Sequence, residues 1–75
     1  MNATYTIRAN RGTNWDHTPV IRYELFKRTL RSRKPDGMFC TTLSVPRSEP
    51  MSAHKRAIRY LRGLTATGTA KLIME

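Results

Sequence analysis

The chain predicts a small α+β fold: an antiparallel β-sheet of three to four strands, element order β-β-β-α-β, with one amphipathic helix packed on one face. Three observations point there. Apolar residues alternate at Tyr5 and Ile7 and again at Ile21, Tyr23 and Leu25, the period of a half-buried strand. Lys34, Pro35, Asp36 and Gly37 have the chemistry of a type I turn with a following left-handed glycine, the connection of a hairpin. Residues 48–63 carry the 3.6-residue periodicity of a helix with one apolar and one basic side.

The elements follow in order. Residues 4–9 are rich in β-branched side chains and read as a first strand. Residues 10–19, dense in Asn, Gly, Asp and Pro, read as a loop. Residues 20–33 contain good helix formers, and Thr18-Pro19 would suit a helix start. The turn at 34–37 and the alternation together favour a strand. Closing the hairpin at that turn sets Arg33 opposite Phe39, Thr29 opposite Leu43 and Lys27 opposite Val45. Ile21, Tyr23, Leu25, Phe39, Leu43 and Val45 would then share the core face, with Arg22, Phe26, Arg28 and Leu30 on the other.

Pro46 ends the third strand, and Ser48-Glu49-Pro50 opens the helix, which Gly63 is expected to close as a left-handed cap. At about 100° per residue, His54, Ala57, Ile58, Leu61 and Leu64 gather inward with Ala53 and Tyr60 flanking, and Lys55, Arg56, Arg59 and Arg62 gather outward. The apolar, β-branched end of the chain predicts a short last strand at a sheet edge. Trp15 is expected to lie as a lid on the small core.

Composition restricts the function. Seventy-five residues make one domain, one that buries roughly 60% of its unfolded surface. With a single cysteine there is no disulfide to staple it, so its stability is on the order of 3–5 kcal/mol. The lone Cys40 and the lack of a signal-like apolar run near the N-terminus suit a reducing, cytoplasmic setting. No stretch is apolar for long enough to span a bilayer, so no membrane role is expected.

Charge is the most telling quantity: 14 Lys and Arg against 5 Asp and Glu give a formal +9. A small domain carrying that excess repels itself unless a polyanion or an acidic surface relieves it. Lys27, Arg28, Arg31, Arg33 and Lys34 crowd the hairpin, which is denser than edge protection against aggregation requires. A basic two-stranded ribbon can enter a major groove about 12 Å wide, and Phe26 among arginines can stack on an unpaired base. The helix stripe lacks acids four residues on to neutralise it, so it too can face phosphates.

His17, Cys40 and His54 have no zinc-site spacing, and no cofactor loop or nucleophile signature is present. His54, at the margin of the helix's apolar face, reads as a satisfied core histidine. The order of three strands and then a helix over residues 4–63 is similar in architecture to the arm-binding domains of phage-type integrases and to plant AP2 domains. That resemblance implies DNA contact through the sheet and carries over no individual positions.

The expected function is therefore non-enzymatic nucleic-acid binding, by DNA or RNA. Its contacts are Arg22, Lys27, Arg28, Arg31, Arg33 and Lys34 on the hairpin, with Lys55, Arg59, Arg62 and Arg11 as clamps. About six neutralised phosphates would give a log–log salt slope on the order of −5 on duplex DNA. Two other classes compete. One is an accessory or inhibitor protein, of the kind encoded by phages or mobile elements, that docks on an acidic protein surface. The other is a metal-free ribonuclease using His17 or His54 as acid or base. A homodimer through an open sheet edge is also compatible with so small a core.

Overall fold

Strands β1 (Thr4–Thr13) and β2 (Pro19–Arg28) pair antiparallel along their whole length, from Thr4↔Arg28 to Thr13↔Pro19. This is a computed structural model, and it describes residues 3–29 and 37–74. β1 runs four residues past the predicted strand, because Asn10, Arg11, Gly12 and Thr13 pair with residues 19–22 and the loop shrinks to residues 14–18. That loop closes on itself. Asn14 N–H donates to the Thr18 carbonyl, His17 N–H donates to the Asn14 carbonyl, and His17 takes φ 67°.

Strand β3 (Met38–Pro46) pairs antiparallel with β2, confirming a strand rather than a helix over the second element. The register differs from the expected one: Ile21 faces Val45 and Tyr23 faces Leu43, a slip of six residues. An even slip preserves the faces, so Tyr23, Leu25 and Val45 are buried and Ile21 and Leu43 pack against them, as the alternation implied.

The slip arises because the ladder ends at Lys27↔Met38 instead of running out to the predicted turn. Of that turn only Gly37 falls among the described residues. It does take the left-handed conformation (φ 86°), and a Cβ there would meet the Lys27 carbonyl oxygen at 2.4 Å. Between Leu25↔Thr41 and Phe26↔Phe39 the register jumps by one, a β-bulge that leaves Cys40 unmatched. The bulge carries Phe39 off the predicted core face.

Helix α1 (Met51–Gly63) begins after Pro50, whose fixed φ suits a helix entrance, and has no side-chain cap. Gly63 ends it without the expected left-handed turn. Leu64 N–H instead reaches the Leu61 and Arg62 carbonyls, and the Thr65 hydroxyl donates to the Arg62 carbonyl at 2.7 Å. The left-handed glycine of this connection is Gly68 (φ 70°). Strand β4 (Lys71–Met74) then joins β1 in parallel, giving a mixed sheet of order β3-β2-β1-β4. The chain direction requires this: β3 ends where β1 ends, the helix returns the chain to the other side, and β4 must run with β1.

The core lies between α1 and one sheet face, around Tyr5, Ile7, Ala9, Tyr23, Leu25, Val45, Leu61 and Ala70. Ile7 and Leu61 are fully buried, each worth about 1.5–3 kcal/mol over an exposed side chain. His54 is 7% exposed and its Nδ1 shares a 2.7 Å hydrogen bond with the Tyr23 hydroxyl, so the core-histidine reading holds. Leu64, expected within the apolar stripe, and Tyr60, expected to flank it, are instead mostly exposed.

Candidate functional site

With α1 covering one face, the other is left open, and strand register fixes which side chains share it. Lys71, Thr6, Phe26 and Phe39 form a row across all four strands. Ile73, Arg8, Glu24 and Thr42 form the next, followed by Asn10, Arg22 and Ser44, and Arg28 pairs with Thr4 beyond the first row. Val20, in the row after Arg22, is fully buried, which bounds the accessible part of the face at that end.

Four cations therefore share this face with an aromatic pair. The Phe26 and Phe39 rings meet edge to face with centroids 5.8 Å apart and planes at 72°. Phe39 is 51% exposed. The Arg22 guanidinium lies over Gly12, where a Cβ would come within 3.1 Å of it. Glycine at this position lets the arginine lie flat across β1. Glu24 is the one acid on this face among the described residues; the Asn10 side-chain amide donates to its carboxylate and Arg8 stands directly across from it.

The residues expected to bind are split by the fold. Arg22 and Arg28 lie on the open face. Lys27 and Arg11, being odd-numbered, fall on the helix side of the sheet near opposite ends. Lys55, Arg59 and Arg62 line a separate groove between α1 and β4, together with Ile58 and Leu72. Arg62 also has a structural task, its Nε donating to the Ala70 carbonyl at 3.2 Å. Arg31, Arg33, Lys34 and Leu30 lie outside the described residues.

Arg8, Lys71 and Phe39 were missed by the sequence reading. Arg8 was recoverable, since it alternates with Tyr5 and Ile7 on β1. Lys71 needed the parallel register of β4, and Phe39 needed the bulge.

Trp15 is not a lid. It is 94% exposed at the β1–β2 loop, a loop that closes through its own backbone and through the Asp16 carboxylate accepting from Thr18 N–H at 3.1 Å. Hydrogen bonds from Thr18 hold the Asp16 carboxyl below its ordinary value. Burial raises the Tyr23 phenol above its own. His54 is committed to Tyr23 and the core, which leaves His17 as the histidine outside the core. Among the described residues no three His, Cys, Asp or Glu side chains are grouped to hold a metal ion, and no helix is long and apolar enough to cross a membrane. No family model, curated protein or solved structure matches the chain.

Proposed function

We propose that this protein binds nucleic acid, without catalysis, through the open face of its sheet. The observation that carries the reading is one-sided coverage. α1 covers one sheet face, and the other presents Arg8, Arg22, Arg28 and Lys71 together with an aromatic pair in which Phe39 is half exposed, on a chain of net charge +9. Cations position phosphates and aromatic faces receive bases, so this mixture suits a nucleic acid better than a bare charge stripe does. Lys27 and Arg28 close β2, and Arg31, Arg33 and Lys34 follow them in the sequence. An exposed, unpaired Cys40 is compatible with the cytoplasm, where such a ligand is met.

The test is equilibrium binding to a mixed-sequence oligonucleotide across a salt series. Four face cations give a log–log slope on the order of −3, steepening toward −5 if Arg31, Arg33 and Lys34 also engage phosphates. Reversing Arg22 and Arg28 to Glu should flatten the slope by roughly two and weaken binding about ten-fold or more. Reversing Lys55 and Arg59 should do less. A flat salt response, or greater loss from the helix pair, contradicts the proposal.

An acidic protein surface is the rival occupant of the same face. It is recognised by a stoichiometric protein that copurifies and survives nuclease treatment.

A further inference from the structure

We infer that the nucleic acid taken by this face is single-stranded, with an unpaired base stacked on Phe39; the inference rests on the binding function proposed above and specifies its ligand. Width argues against a duplex groove. Three inter-strand gaps of about 4.8 Å set the outer backbones of a four-stranded sheet roughly 14 Å apart before side chains are added, more than the ~12 Å of a major groove. The Lys71–Thr6–Phe26–Phe39 row spans that full width, so the cation at one edge and the rings at the other cannot enter one groove together.

A duplex lying across the face would offer phosphates to the cations and no open base face to the rings. A single strand offers both. The edge-to-face contact with Phe26 leaves about half of the Phe39 surface exposed. Aromatic side chains on an open sheet are platforms on which any base can stack.

Glu24 fits the same ligand. A carboxylate in the middle of a cationic track repels phosphate, but it accepts hydrogen bonds from the amino edge of a base, cytosine's exocyclic N–H in particular. Asn10 fixes that carboxylate in place. Phosphates then run along Arg28, Lys71 and Arg22 while bases turn inward to Phe39 and Glu24.

The experiment measures affinity for fluorescein-labelled 12-nucleotide single strands, one DNA and one RNA of the same mixed sequence, and for the matching DNA duplex. It uses the wild-type protein and the Phe39→Leu variant. Leucine keeps an apolar side chain against Phe26 and removes the stacking face, and duplex affinity serves as the control for folding. The single strands should bind more tightly than the duplex. Phe39→Leu should weaken single-strand binding about ten-fold and leave duplex binding within about two-fold. Either single strand showing this pattern sustains the inference, and the tighter one identifies the sugar. Duplex binding equal to or tighter than single-strand binding, or an unchanged single-strand affinity in Phe39→Leu, overturns it and leaves nucleic-acid binding standing. No binding to any of the three overturns both.

Discussion

At the scale of single residues, the sequence was most legible where the side chain's position follows from one helix phase. His54 falls inward at 100° per residue, and a buried imidazole requires a partner, which Tyr23 supplies. Tyr23→Phe keeps the ring and strands His54 Nδ1 in the core, at a cost of about 1–3 kcal/mol, a large share of the stability available to so small a domain. Urea midpoints of the two proteins check this; equal midpoints would mean the bond contributes nothing. The pH dependence has a fixed sign. Because burial raises the Tyr23 phenol, its contribution is complete below the unfolded value near 10 and is lost as pH rises beyond it. Stability should therefore fall above about pH 10, and less steeply in Tyr23→Phe. Trp15 was illegible for the opposite reason. Nothing in its neighbours' chemistry says that the loop closes by Asn14, Asp16 and Thr18 without calling on the indole.

At the scale of elements, alternation, turn chemistry, β-branched composition and helical periodicity placed the four strands and the helix, and the connections are where they fail. Alternation along residues 21–25 and 43–45 settles which face is buried under any even register, so the core was readable while the register was not. The bulge at Cys40 is set by pairing energetics across two strands and leaves no local mark, which is why Phe39 was assigned to the wrong face. The direction of β4 follows from counting chain reversals, which makes the sheet mixed where a wholly antiparallel one is expected.

The helix end yields a sharper test. Gly63 is not left-handed and a Cβ there meets nothing within 4 Å, so Gly63→Ala should stabilise by up to about 1 kcal/mol. Gly68, at φ 70°, should lose roughly 1–2 kcal/mol on the same change. Chemical denaturation at constant m-value distinguishes them. The reverse order would restore the left-handed cap to Gly63.

At the scale of the whole molecule, the fold separates basic residues that the sequence presented as one list, and two of the resulting groups, among the described residues, are the open sheet face and the α1–β4 groove. Lys71 belongs to the open sheet face, and Leu72, its neighbour on β4, lines the α1–β4 groove on the helix side of the sheet. Of these two groups, the open sheet face combines cations with an exposed aromatic ring, Phe39, and the central claim is that this is the binding face. Chemical-shift mapping with a saturating single-stranded oligonucleotide tests it most directly. The ring signals of Phe26 and Phe39 and the resonances of Thr6, Arg8, Glu24 and Lys71 should shift, while those of Lys55 and Arg59 in the α1–β4 groove stay in place. Shifts confined to α1, with the sheet face unmoved, would contradict the account.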